Sequence, residues 1–181
     1  MNKLALILAT GMLALAVPAA PAIASMETPE AKEAATFAAV TARDDMYEAF
    51  GDKELKPGQF VWRDVSARGP VRVVVSLSDQ LAFLYRGDTL VAVSTVSTGV
   101  AGRDTPTGIF PILQKKPMHR SQKYDNAPMP FMQRIDDYGV ALHAGHLPGY
   151  PASHGCIRLP AKFAQKLYGV TTIGSEVMIG A

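Results

Sequence analysis

Cysteine occurs once in this 181-residue chain, at Cys156, so the chain can form no internal disulfide and carries no C-x-x-C redox pair. Tryptophan also occurs once, and histidine four times. Charge is sparse and nearly balanced, 18 basic residues against 16 acidic, for a net +2. Such a balance offers no strongly basic face for nucleic acid or an anionic bilayer surface. No segment repeats. The information therefore lies in the scarce residues and their spacing.

Long apolar runs are missing too. The longest, Leu4 to Val17, contains Gly11 and is followed by Pro18 and Pro21, which leaves it short for the ~20 residues a membrane span needs. Lys3 precedes it and the small-residue end Ala22-Ile23-Ala24 is of the A-x-A type. Residues 1–24 thus read as a secretory signal peptide cleaved before Ser25. No cysteine stands at its end to carry a lipid. Its removal lowers the net charge to about +1, and what remains suits one domain.

Residues 25–70 form an N-terminal extension. Thr28 is an N-cap and Pro29 a first helical residue, followed by alanine-rich sequence to Val40 or a little further. An alanine face buries little area, so the expectation is a peripheral or partly disordered helix. Phe60-Val61-Trp62 forms an edge strand or a lid, with Trp62 in ordinary packing.

Residues 71–181 form the main domain. Val71, Val73 and Val75 alternate with Arg72, Val74 and Ser76, and Leu81 to Tyr85 and Leu90 to Val96 complete a meander. Further strands are expected at Thr107–Leu113, Gly139–His143 and Glu176–Ile179. One helix runs from about Pro160 to Tyr168 with Gly169 as its stop. The class is mainly β, two packed sheets with a short helix. Between Lys115 and Ile135 no period is visible, and the aromatics and methionines there predict an irregular flap loop over a site. His119, Tyr124 and Phe131 are its candidate substrate contacts.

Cys156 lies in His143-Ala-Gly-His-Leu-Pro-Gly-Tyr-Pro-Ala-Ser-His-Gly-Cys-Ile-Arg158, which holds three of the four histidines. An unperturbed thiol, with a pKa near ~8.5, is only slightly ionised at neutral pH, so a nucleophilic cysteine needs a base such as His143, His146 or His154. Gly155 lets the main chain approach a substrate and offer N–H groups to an oxyanion. In an extended segment Arg158 shares a face with Cys156. Two other readings stand beside this one: a small buried hydrophobe, and a metal site, although paired zinc-ligand spacing is missing.

Ser153-His154-Gly155-Cys156-Ile157-Arg158 resembles the S-H-G-C-x-R signature of L,D-transpeptidases with the YkuD-type catalytic domain. His143 matches the family's upstream histidine, and Ser97-Thr98-Gly99 and Thr105-Pro106-Thr107-Gly108 match its other elements, so the resemblance covers about Val71 to Ile179. It implies that Cys156 is the nucleophile and His143 the acid/base, that His154, Gly155 and Cys156 line an oxyanion hole, and that Arg158 and Ser153 hold the substrate. Ala144 and Gly145 follow His143 where the family commonly has a glycine or serine that orients the imidazole, which leaves the orienting group unassigned.

The resemblance further implies a cross-linking reaction on peptidoglycan tetrapeptide stems, in the periplasm or at the wall, with no metal and no organic cofactor. A thioester on Cys156 would form with loss of D-alanine and pass to an amine. Water as acceptor would make a carboxypeptidase, and an envelope protein as acceptor a protein-to-wall ligase. A non-catalytic wall-binding module is the alternative of a different class.

Overall fold

The computed structural model describes residues 26–181, so the expected leader, residues 1–24, lies outside the described residues. The predicted meander is present as β2 (Val71–Ser76), β3 (Leu81–Arg86) and β4 (Thr89–Thr95). The edge strand β1 (Phe60–Trp62) pairs with β4, and the last strand, β10 (Glu176–Gly180), lies between β2 and β5 (Gly108–Pro111). The order β1-β4-β3-β2-β10-β5 makes a six-stranded sheet in which only β2 and β10 run parallel. A second sheet, β6-β7-β8-β9, is built from Gln114–Arg120, Pro128–Arg134, Ala141–Ala144 and Ile157–Leu159. The protein is mainly β, as the sequence predicts.

Leu81 to Tyr85 is buried at every position because the large sheet is covered on both faces. On one face Val73, Val75, Leu84 and Ile179 pack with Leu142, Ile157 and Leu159 of the second sheet and with Phe163 and Leu167 of α2 (Ala161–Val170). Phe163 also meets Trp62 edge-on, so the single tryptophan does pack against the core. Truncating a wholly buried side chain such as Phe83 or Phe163 costs about 3–5 kcal/mol.

The other face is covered by α1 (Pro29–Phe50), which overturns the expectation of a peripheral helix. Thr28 caps it by accepting the Ala31 N–H on Oγ1 at 3.3 Å. Ala31, Ala35, Ala39, Ala42 and Met46 line its buried stripe, and Tyr85 donates to Asp45 at 2.6 Å. The small side chains set the approach: a Cβ on Gly180 would lie 2.6 Å from the Ala35 carbonyl oxygen. Alanine here contributes proximity more than area.

Two further expectations change. The segment after Lys115 is a hairpin of β6 and β7 with its turn at 121–127, and not an irregular loop. Pro117 sits on an edge strand, where the register skips only the Pro117 and Phe131 pair, and Pro128 and Pro130 precede the only β7 residues paired to β8, Gln133 and Arg134. Gly169 does not stop α2, which continues to Val170 because Thr171 caps it by donating its N–H to Leu167 O at 3.1 Å.

Candidate active site

Parallel pairing of β8 with β9 assembles the centre of the site. Leu142 lies opposite Ile157 and His143 opposite Arg158, which leaves Cys156 beside the start of β8. Cys156, His143, Arg158, His146 and His154 all line one groove of about 1070 Å³. The single thiol and three histidines thus meet in space as well as in sequence.

The loop carrying the thiol is fixed from two sides. Ser97 and Arg158 exchange main-chain hydrogen bonds at 3.0 Å in both directions, and the Ser153 N–H donates to Thr98 O at 2.9 Å. Gln80 holds Thr98 in turn, accepting its N–H at 3.0 Å. The buried Thr105 hydroxyl accepts the Gly99 N–H and donates to Gly155 O, both at 2.9 Å. Gly155 has φ +105°, a conformation that an L side chain rarely adopts.

Ser153 is buried, and its hydroxyl donates to the Cys156 carbonyl while accepting the Gly155 N–H at 3.2 Å. Ser153, the expected substrate contact, does line the groove, but its hydroxyl is engaged in bracing the turn. The Gly155 N–H, expected to line an oxyanion hole, is turned to Ser153 instead, because the left-handed bend at Gly155 directs it back into the loop.

His143 is buried, and its Nδ1 lies 2.8 Å from Ala144 O, a contact only Nδ1–H can make as a hydrogen bond to a carbonyl. Burial pushes its pKa below the ordinary imidazole value, with the charges of Arg158 and His119 adding to the effect, against the Ala144 hydrogen bond. The imidazole is therefore neutral at pH 7 with Nε2 as an acceptor. Burial pushes the Cys156 thiol up, and the Asp136 charge reinforces this, while a backbone hydrogen bond from Ala141 and the charges of Arg158 and Lys123 oppose it. The resting pair is thiol and imidazole. The thiol itself faces Gly139 O, with Sγ at 3.8 Å.

Arg158 enters no ion pair among the described residues, so its guanidinium is available to a carboxylate in the groove. At the hairpin turn the Tyr124 ring lies 4.3 Å from the His154 ring, and Lys123 donates to Tyr138 O at 2.7 Å. Tyr124 and His119 both line the groove. Phe131 does not: at φ 55° its ring turns to Tyr168 of α2, at 6.0 Å, and packs against the core. That corrects its expected substrate contact.

Asp136 and Ala144 carry functions that the sequence left unassigned. The buried Asp136 carboxylate accepts the N–H groups of Gly139 and Val140 at 2.8 Å each, shaping the segment that faces the thiol. Its acid-then-glycine spacing, Asp136 to Gly139, was the available signal. The Ala144 carbonyl, being main chain, left none. Among the described residues no group of three or more histidine, cysteine or carboxylate side chains is placed to hold a metal ion, and no helix is long and apolar enough to cross a membrane.

The family model of the L,D-transpeptidase catalytic domain, YkuD, matches residues 70–179. No curated protein gives a significant match. Among solved structures, L,D-transpeptidase 1 of Mycobacterium tuberculosis is similar at 21% identity and a TM-score of 0.55, covering 62% of each chain. L,D-transpeptidase 3 of the same organism gives 22% and 0.57, over 62% of this chain and 60% of that one. An L,D-transpeptidase of Stackebrandtia nassauensis gives 24% and 0.56, over 76% and 65%. The chain thus spans under two thirds of the length of these structures, and at such identities the likeness is one of fold. With the family match across most of the sheet-forming chain and the thiol, imidazole and braced glycine turn inside it, this protein belongs to the L,D-transpeptidase catalytic-domain (YkuD) family.

Proposed function

We propose that the protein is a cysteine-dependent L,D-transpeptidase that cross-links peptidoglycan stems. The observation that carries the reading is a buried His143, oriented through Nδ1 by Ala144 O, lining the same groove as the only thiol. The thiol rotates from Gly139, and its proton passes to His143 Nε2 as Sγ bonds to the carbonyl carbon before the terminal D-alanine. The oxyanion is held by main-chain N–H groups at His154 and Cys156. The C–N bond then breaks, D-alanine leaves with the proton from His143, and a thioester remains.

An amine of a second stem attacks the thioester, His143 takes that amine's proton, and the thiol is restored as the C–S bond breaks. Arg158, Tyr124 and His119 hold the donor stem in this reading. The transfer to an amine, rather than to water or to an envelope protein, is supported by family membership alone. The expected leader agrees with a periplasmic or wall-associated site of action. The presence of both the thiol and His143 in the groove argues against a wall-binding module without catalysis.

Mass spectrometry of the protein with disaccharide-tetrapeptide tests the reading. Cross-linked product with loss of D-alanine is expected; a hydrolysed tripeptide makes the enzyme a carboxypeptidase, and no change refutes both. The M. tuberculosis L,D-transpeptidase 3 structure contains a faropenem-derived adduct. A penem or carbapenem should likewise add one inhibitor mass to the Cys156 peptide here, and Cys156→Ala should abolish adduct and turnover. An adduct on the alanine variant would refute the nucleophile.

A further inference from the structure

We infer that Thr105 is a positioning residue for acyl transfer: its hydroxyl holds the Gly155-Cys156 peptide so that the Cys156 N–H is presented to the oxyanion. The inference rests on the reading of Cys156 as nucleophile. Thr105 donates to Gly155 O at 2.9 Å. Every peptide among the described residues is trans, and in a planar trans peptide the N–H points opposite to the C=O. Pinning the carbonyl toward Thr105, which does not line the groove, therefore pins the Cys156 N–H to the opposite side, and Cys156 is the groove residue of the two.

The pin is needed because Gly155 is flexible. A glycine at φ +105° can turn its following peptide over at little steric cost, and the flipped peptide would aim a carbonyl where the oxyanion forms. The Thr105 hydroxyl cannot easily reorient. It is buried, and because its oxygen already accepts the Gly99 N–H at 2.9 Å, its single proton is directed to Gly155 O. Thr105 touches neither thiol nor imidazole, and it acts from 50 residues away in sequence.

Thr105→Val keeps the shape and removes the hydroxyl. The experiment compares two reactions at Cys156: acylation by a carbapenem, which passes through an oxyanion, and alkylation by iodoacetamide, which does not. Loss of an oxyanion donor slows acylation by about 10²–10³-fold, so the valine variant should lose acylation on that scale while its alkylation rate, taken well below a melting temperature lowered by the two unpaired groups Gly99 N–H and Gly155 O, stays near wild type. Thr105→Ser should restore acylation. Where valine prevents folding, Thr105→Ala should show the same split to a smaller degree. Equal loss of acylation and alkylation, wild-type acylation in Thr105→Val, or failure of serine to restore it would each overturn the inference. A wild type that alkylates normally yet takes no acyl group would instead overturn the acyl-transfer reading, and the inference with it.

Discussion

His143 is oriented by the carbonyl of its own neighbour: Nδ1 and Ala144 O are 2.8 Å apart. In the proposed mechanism the group that orients the base is thus main chain, and the side chain at position 144 takes no part in the contact. His143→Ala should lower acylation by about 10²–10⁴-fold, the usual contribution of a general base. Ala144→Ser should keep most activity, and so should His146→Ala, since that exposed imidazole bonds to neither partner. Rates of carbapenem acylation distinguish these; equal losses at 143 and 146 would refute the assignment.

The direction of the two pKa shifts gives a pH signature. Because His143 titrates below the ordinary imidazole value, acylation should hold its rate on acidification through about pH 6.5 and fall only below it. Because the thiol titrates above its ordinary value, iodoacetamide alkylation should still be rising at pH 9.0. Stability follows the same sign. The unfolded chain protonates His143 first as pH falls below about 6.5, so it binds more protons than the folded one, and the melting temperature should drop on that side. A melting temperature that rises on acidification would contradict the buried neutral imidazole.

Tyr124 rests on His154 across the groove. Tyr124→Ala removes that ring contact, worth about 0.5–1.5 kcal/mol, and frees the hairpin turn to open. Steady-state kinetics should show KM for the tetrapeptide donor raised and kcat changed less. An unchanged KM would mean that the turn does not cover bound substrate.

Gly180→Ala places a methyl group 2.6 Å from Ala35 O and 2.7 Å from the Thr36 Cα, both backbone. Overpacking of this kind costs about 1–3 kcal/mol. Thermal unfolding should move down accordingly, while alkylation of Cys156 at low temperature stays at wild-type rate, since the site lies on the other sheet.

Motifs that are local in sequence were legible: Ser153 to Arg158 names the thiol loop, and His143 sits at the strand end where it was expected. The meander was legible because apolar runs of five or six residues broken by polar turns have few other solutions. What relied on distant partners was not. The Thr105 contact with Gly155 spans 50 positions, and no spacing rule connects a threonine to a carbonyl so far away. The β6 and β7 hairpin was hidden by its prolines, which lower strand propensity yet break the pairing at one position only, Pro117 opposite Phe131. Phe131 was expected in the groove because it lies in the segment read as a flap, and no local pattern reports the positive φ that turns its ring to Tyr168. The alanine stripe of α1 was misjudged because apolar area measures burial and not closeness.

The place of β10 between β2 and β5 has a temporal consequence. Residues 60–111 supply every other strand of the large sheet, yet β2 and β5 are bridged only when residues 176–180 lie between them. A ribosome delivers those residues about a hundred positions after β2. Until then the chain has two raw sheet edges and α1 has no β10 against which to dock. The loop that carries Cys156, though complete in sequence by residue 158, gains the rest of its support at the same event, because Ile157 and Leu159 share a core with Val177 and Ile179.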